Sequence, residues 1–404
     1  MKRVKREVAA RRDGQGKAVR DASGIQGPLG QVLSHAVQVK ASDVHIEQWA
    51  GDKATVRYRI DGVLKEEGPK LTHAECVAAT AEAKRLAGLE LENLGVPQAG
   101  RIMFGDAGVR ELLVSVAPCV GSTSMVVHVL GDVPAGLQHL NPGEPVVSTL
   151  RRWLGLPHGV IIASGCTGSG KTTTLLALLQ ELNMPALKIV TIEEPVFYRI
   201  AGVSHIEVDP RKGIDYATAV KCAEAQDADV VLVGEVWDAE TAGVTLRAAL
   251  GGRLALTSMH AINCSDALAR LRDMGIAPKF ISEELIGVTN QRLMRRVCDK
   301  CKEPYAPTPM ETETMLKGKT DGTFYQSKGC DACRNTGYRG RVAAYELLQL
   351  DNAMRALILQ GASAEELCQQ ARESGCASLR DAALAKAEAG ITTLNEVLRC
   401  TAPF

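Results

Sequence analysis

Hydrophobic and polar positions along the first third of the chain follow a mixed α and β pattern. Ala54-Thr-Val-Arg-Tyr-Arg-Ile-Asp-Gly alternates strictly, so every second side chain falls on one face of a strand. It ends in Asp61-Gly62, a hairpin signal leading into Val63-Leu64. Val44 and Ile46 alternate with His45 and Glu47 in a preceding strand. Leu71 to Leu91 predicts a helix, and Val109 to Val129 predicts strands around Pro118-Cys-Val-Gly121. Gly131 to Pro145, with three prolines and three glycines, has linker composition.

From about Val146 the period switches repeatedly between strand and helix, the signature of a parallel sheet with crossover helices. Gly159-Val-Ile-Ile-Ala-Ser164 predicts a buried strand, and Lys171 to Asn183 a helix stopped by Pro185. Leu187–Ile192 and Val230–Val233 predict further strands, followed by helix Ala239–Leu250 and strand Leu254–Ser258. The end reads as helices at Ala353–Leu359, Ala364–Glu373, Leu379–Ala389 and Asn395–Arg399.

The domain boundaries expected from this are a basic tail at 1–24, an α+β domain at 25–130, a linker at 131–146 and an α/β domain at 147–404. The last contains an excursion at 298–333 and C-terminal helices at 351–404. The tail carries eight basic and three acidic side chains and reads as a flexible segment, with weak attachment to anionic lipid as the sharper alternative. Overall, 47 Lys and Arg cancel 47 Asp and Glu, which leaves no net field to draw the chain onto nucleic acid. No stretch reaches the ~18 uninterrupted apolar residues of a membrane helix, and the charged N-terminus lacks a secretory apolar segment. Cytoplasm is the expected compartment, with membrane contact peripheral only.

Gly165-Cys166-Thr167-Gly168-Ser169-Gly170-Lys171-Thr172 fits the phosphate-binding pattern G-x-x-x-x-G-K-[ST], between a predicted strand and the helix that carries Thr173. Glycines at 165, 168 and 170 let backbone N–H groups converge on phosphate oxygens. The helix dipole adds a favourable field, Lys171 is placed to reach the outer phosphates, and Thr172 to bind Mg²⁺. In an open α/β sheet the ligand sits beyond the carboxyl ends of the strands. Three more strand ends therefore face it, carrying Glu193-Glu194, Gly234-Glu235 and Ser258-Met259-His260. Such carboxylates and an imidazole supply a general base, support for Mg²⁺ and a sensor of the terminal phosphate. Which of Glu193 and Glu235 is the base stays open at this stage.

Of twelve cysteines, four form two C-x-x-C pairs, Cys298/Cys301 and Cys330/Cys333. Together they offer the four thiolates of a closed, structural zinc site. The 28 intervening residues add little to the closure cost, which grows slowly with length. The other eight, at 76, 119, 166, 222, 264, 368, 376 and 400, read as buried thiols.

Several motifs also carry a family resemblance. Ala41-Ser-Asp-Val-His-Ile-Glu47 with Val56-Arg-Tyr-Arg-Ile-Asp-Gly-Val63, and Pro97-Gln-Ala-Gly-Arg101, resemble the domain preceding the motor domain in secretion and pilus ATPases. The P-loop, Thr191-Ile-Glu-Glu-Pro-Val196, Val233-Gly-Glu-Val-Trp-Asp238 with Glu240-Thr-Ala242, and Met259-His260 are similar to that family's Walker A, Asp box, Walker B and His box. Gln291-Arg-Leu293 and Gly337-Tyr-Arg-Gly-Arg341 flank the cysteine pairs as in the family, and the likeness runs in order from about Gly27 to Thr401. The chain thus resembles the extension and secretion branch of the type II secretion and type IV pilus assembly ATPases; retraction motors look different in lacking the zinc clip.

This resemblance implies a RecA-like P-loop domain behind a small α+β (PAS-like) domain. It further implies a cytoplasmic homo-hexamer that hydrolyses Mg-ATP and drives pilin or pseudopilin assembly through an inner-membrane platform protein. Arg101 joins Glu193, Glu235 and His260 as the catalytic set it implies. The chain departs from the family at Glu194, Phe197, Lys221, Ala225 and Trp237, and at Leu113 and His128 where arginines are usual. Arginine clamps developing phosphoryl charge with a bidentate fork. Its loss motivates a second reading, an ATP-holding subunit with slow turnover. A third reading, a nucleic-acid translocase, is opposed by neutral charge and 4% aromatic content.

Overall fold

The computed structural model describes residues 25–49, 53–92, 95–104, 110–316 and 322–401, so the basic tail lies outside the described residues. Two compact units divide the chain, one ending at Asp132 and the other beginning at Val133.

The first unit is an antiparallel sheet with two helices. Its elements are α1 (Gly27–Val39), β1 (Asp43–Trp49), β2 (Lys53–Ile60), β3 (Val63–Lys65), α2 (His73–Ala87), β4 (Gln98–Phe104), β5 (Arg110–Cys119) and β6 (Ser122–Val129). The strands run in the order β3-β2-β1-β6-β5-β4. Alternation does what the sequence predicts. Val44, Ile46, Val56 and Tyr58 are buried against Leu29, Leu33, Cys76 and Ala79 of the helices, and His45 and Arg57 take the opposite face. Asp61 and Gly62 both have positive φ, as the tight hairpin requires. The α2 helix starts at a capping box in which the Thr72 side chain accepts from the Glu75 amide and Glu75 answers the Thr72 amide. It stops at Gly88 in the left-handed region.

The second unit is an α/β sandwich. Its main sheet comprises β7 (Gly159–Ser164), β8 (Ile189–Glu193), β9 (Val203–Glu207), β10 (Val230–Val236), β11 (Leu254–Met259), β12 (Leu285–Val297) and β15 (Tyr338–Gln349), with β13 (Lys302–Tyr305) and β14 (Phe324–Ser327) forming a separate ribbon. The order is β15-β12-β7-β11-β10-β8-β9, parallel except for the β12–β15 pair. On one face lie α3 (Glu144–Leu154) and α4 (Lys171–Leu182), which bury Trp153, Leu175 and Leu178 on Ile161, Leu232 and Leu256. On the other lie α5 (Tyr216–Ala225), α6 (Ala239–Leu250), α7 (Cys264–Asp273) and α8 (Pro278–Glu284). This is the α/β fold expected. The β9 edge strand and the long β12–β15 pair were not expected.

Two sequence expectations need correction, on the linker and on the cysteines, and the C-terminal helices, found where expected, add a detail of packing. Of the stretch taken as linker, Leu137 is buried in the second unit's core and its amide donates to Glu181 Oε1 at 3.0 Å, and Val133 packs against the same core. The C-terminal helices form two sets. α10 (Asn352–Leu359) and α11 (Ala364–Glu373), after α9 (Pro309–Thr314) in the chain, join the core beneath β11 and β12. By contrast, α12 (Leu379–Glu388) and α13 (Leu394–Thr401) pack with Met315, Leu316 and Phe324 of the excursion in a small separate core. Among the scattered cysteines, Cys76 and Cys264 are buried, but Cys119, Cys166 and Cys222 are exposed.

Candidate functional site

The loop from Gly165 to Gly170 leaves β7, an interior strand between β12 and β11, and enters α4. Gly165, at φ +145°, permits no side chain: a Cβ there would sit 2.6 Å from the Gln291 carbonyl oxygen. Gly170, at φ +93°, occupies the N-cap of α4 and offers no side chain to its amides. The first amides of a helix have no intrahelical acceptor, so those of Lys171 onward aim outward at the loop's concavity. Cys166, Thr167 and Gly168 at the loop crest and Thr172 and Thr173 at the helix start are exposed, while Ser169 and Lys171 are buried.

One residue from β12 fixes this loop. Because β12 runs parallel to β7 as far as Asn290 opposite Ser164, Gln291 emerges directly beside the loop. Its Nε2 donates to the Ser169 carbonyl at 2.8 Å, and its Oε1 accepts from Thr174 Oγ1 at 2.9 Å. Thr174 has a single hydroxyl proton, so the Tyr345 hydroxyl, 3.2 Å away on β15, donates to it.

Lys171 Nζ donates to the carbonyls of Gly165 at 3.1 Å and Cys166 at 3.4 Å and lies 3.4 Å from Glu235 Oε1. Burial pulls the lysine pKa down, and the Glu235 carboxylate partly opposes this. His260 Nε2 lies 3.3 Å from the same Glu235 oxygen. Its pKa is also lowered, first by burial and then by Lys171. Two buried polar atoms here, Ser169 Oγ and Glu235 Oε1, have no hydrogen-bond partner of good geometry, as befits a site shaped to take another polar group.

The position of Glu235 depends on a bulge. Val233 pairs with Thr257, but the next partner of Ser258 is Glu235, which leaves Gly234 as the extra residue. Without it, alternation would put Glu235 on the face of Val231 and Val233, beneath α5 and α6. The bulge returns it to the α4 face, and Ser258 Oγ donates to the Gly234 carbonyl at 2.8 Å. The strand therefore runs through Val236 instead of ending at Val233.

Thr172, Glu193, Glu194, Gly234, Glu235 and Ser258 line one open cavity of about 120 Å³, floored by Leu175, Leu179 and Leu232. Phe197, Tyr216 and Trp237 close its sides. The Tyr216 phenol is pushed up to about 12 by burial and by the carboxylates of Glu194, Glu193 and Glu235, so it stays a hydrogen-bond donor at neutral pH. The Trp237 ring, 61% exposed, leans on His260 with centroids 5.1 Å apart. Glu193 is buried, and its Oε1 is 3.6 Å from Nδ1 of His205 on the edge strand. Thus the structure brings together the P-loop, Thr172, Glu193, Glu235 and His260.

Arg101 belongs to the other unit. There it bridges Glu111 at 2.7 Å and lies in a cross-strand row with Leu113, His128, Asp43 and Arg59. Leu113 and His128, two of the seven departures from the resemblance, are thus in line with Arg101. His128 Nδ1 sits 2.6 Å from Asp43 Oδ1.

The four cysteines Cys298, Cys301, Cys330 and Cys333 converge, with all Sγ atoms within 4.8 Å of one another. Pairs at 3.8, 3.8 and 4.0 Å match the ~3.8 Å edge of a tetrahedron drawn with zinc–sulfur bonds of about 2.3 Å. Cys333 Sγ also accepts the amides of Cys330 and Gly337, both at 3.2 Å. Burial raises its pKa, but these N–H donors outweigh it and hold the thiol at about 6. Such thiolate-favouring contacts suit a metal ligand.

A strand–P-loop–helix on a mostly parallel sheet, with a buried lysine and acids from neighbouring strands, defines a nucleoside-triphosphate-binding α/β protein. The family model described as "Type II/IV secretion system protein" matches residues 19–399, and the chain belongs to that family. The type II secretion system protein E of Pseudomonas aeruginosa is 38% identical over 92% of this chain and 74% of its own length. The type IV pilus assembly ATPase PilB of Thermus thermophilus is 36% identical over 94% of this chain and 43% of its own. Among solved structures, the ATPase DotB of Legionella pneumophila shares the fold, with a TM-score of 0.67 and 19% identity over 94% of this chain and 97% of that one.

Sequence reasoning missed the anchoring role of Gln291, which it met only as part of a motif, and it missed His205 entirely. An isolated Gln or His carries no periodic signal; only strand register reveals what it faces.

Proposed function

We propose that this chain is a Mg-ATP hydrolase that works as a cytoplasmic homo-hexameric motor for pilin or pseudopilin assembly, acting through an inner-membrane platform protein. The observation that carries the reading is the convergence of Lys171, Glu235 and His260 on the P-loop at the mouth of the cavity holding Thr172 and Glu193. Loop and helix amides of 165–173 hold the phosphates, and Lys171 leaves its carbonyl partners for the outer ones. Magnesium, when bound, neutralises phosphate charge; Thr172 supplies the protein ligand, and Glu235 supports it from behind. Glu193, buried and facing the cavity, orients and deprotonates the attacking water. His260, held between Trp237 and Glu235, senses the terminal phosphate. Arg101, catalytic by the resemblance alone, pairs with Glu111 in its own unit. Zinc on Cys298, Cys301, Cys330 and Cys333 ties the 298–333 excursion down and takes no part in chemistry. Membrane contact is peripheral, consistent with there being no described helix long and apolar enough to span a bilayer.

A purified chain that hydrolyses ATP, with Lys171→Ala and Glu235→Gln variants that do not, is the expected result. A second reading, an ATP-holding subunit with slow turnover, is favoured by Trp237, Leu113 and His128 at arginine positions. Brisk hydrolysis by the isolated hexamer eliminates it. Hydrolysis measured with and without the platform protein's cytoplasmic part tests the partner.

A further inference from the structure

Glu193 needs a fixed orientation to act on water, and the edge strand carries a group placed to give it one. We propose that His205 is a positioning residue for Glu193, a step that rests on the reading of Glu193 as base. In the β8–β9 register His205 stands directly opposite Thr191, and Thr191 and Glu193 share a face two residues apart. All three therefore project to the α4 side, where the cavity lies.

The protonation of the ring follows from its contacts. His205 Nε2 accepts the backbone N–H of Ile200 at 3.0 Å. A backbone amide can only donate, so Nε2 carries a lone pair and the single ring proton is on Nδ1. That N–H points at Thr191 Oγ1, 2.7 Å away, with Glu193 Oε1 at 3.6 Å from the same nitrogen. The side chains of His205 and Glu193 are 12% and 11% exposed, so water screens this contact little. The Ile200 bond also ties the ring to the connection that follows Glu193, Glu194 and Pro195. His205 is thus held at one nitrogen by backbone and presents the other to the base and its neighbour. With its one proton bonded to Thr191 Oγ1, the ring acts on the nearer Glu193 oxygen at 3.6 Å through its dipole and leaves the second oxygen for water in the cavity.

Steady-state ATP hydrolysis by the full chain tests this with five variants. His205→Ala is expected to lower kcat by about 10- to 100-fold, the scale of a displaced catalytic group, with the KM for Mg-ATP within about twofold of wild type. His205→Asn, whose amide N–H falls near the Nδ1 position, restores most of kcat; His205→Gln, which reaches only the Ile200 side, does not. Glu193→Gln combined with His205→Ala is no slower than Glu193→Gln alone, because one acts through the other. Wild-type kcat in His205→Ala, or equal loss in the Asn and Gln variants, would overturn the proposal. Should the alanine variant fail to fold, the Asn and Gln pair decides it. Glu193→Gln turning over at the wild-type rate would instead overturn the assignment of Glu193 itself.

Discussion

The Gln291 carboxamide donates to the Ser169 carbonyl at 2.8 Å and takes the Thr174 hydroxyl at 2.9 Å, joining β12 to both ends of the Ser169–Thr174 turn. Both contacts are buried. The loop's curvature is therefore held from behind by one side chain, and phosphate is not needed to create it.

Replacing that side chain isolates its contribution. Gln291→Leu leaves the Ser169 carbonyl unpaired and the Thr174 hydroxyl with Tyr345 alone in a dry setting, which costs about 1–3 kcal/mol. The expected outcome is a lower melting temperature and roughly tenfold weaker nucleotide binding by titration calorimetry. Unchanged affinity would show that the loop keeps its shape without the brace.

Gly165 tests backbone shape. At φ +145° and with the Gln291 carbonyl 2.6 Å from any Cβ, Gly165→Ala cannot be accommodated without moving the loop. Nucleotide binding should be lost while far-UV circular dichroism stays close to wild type. Gly168, whose Cβ would meet nothing within 4 Å, carries only the cost of its φ of +73°. Gly168→Ala is thus expected to bind more strongly than Gly165→Ala.

The cysteine cluster predicts one zinc per chain by elemental analysis. Cys333→Ser should abolish it and lower the melting temperature by at least about 5 °C, because the small core of Phe324, Leu379 and Val397 loses its tie. Retention of zinc by that variant would contradict the assignment.

Glu396 gives a pH dependence whose sign is fixed. The carboxylate is 1% exposed. Burial raises its pKa, but Arg295 and Arg399 overcome this and bring it to about 2, below the ordinary 4.5. A depressed pKa contributes stability above the unfolded value and loses it as pH falls from about 5 towards 2. Between pH 7 and pH 3 the loss is about 2 kcal/mol. Glu396→Gln lacks this term, so the stability gap between wild type and variant should narrow by about that amount in urea melts at the two pH values. A constant gap would show the ion pairs to be screened.

How much was legible in the sequence followed from how local each signal is. The P-loop, the Asp61-Gly62 hairpin and the strands at Gly159–Ser164 and Leu254–Met259 are written in consecutive residues, and period and glycine placement suffice for them. The cysteine pairs announced a chelate by spacing alone. Glu235 was found at a strand end, but its face was not: the bulge at Gly234 reverses the alternation, and a one-residue slip is invisible in an apolar run such as Val230–Val233. β9 is half-buried along most of its length and carries Ser204, His205 and Glu207 among its five residues, so it shows no hydrophobic run. Gln291 and Tyr345 meet only through the antiparallel β12–β15 register, which sequence pattern does not encode.

The central claim is that the Gly165–Thr172 turn holds a triphosphate whose cleavage depends on Glu235. Phosphate release from Mg-ATP, measured beside nucleotide binding for wild type, Lys171→Ala and Glu235→Gln, tests it most directly. The account predicts that Lys171→Ala binds weakly, and that Glu235→Gln binds nucleotide yet releases phosphate at least about 100-fold more slowly. Equal phosphate release by all three proteins would contradict it.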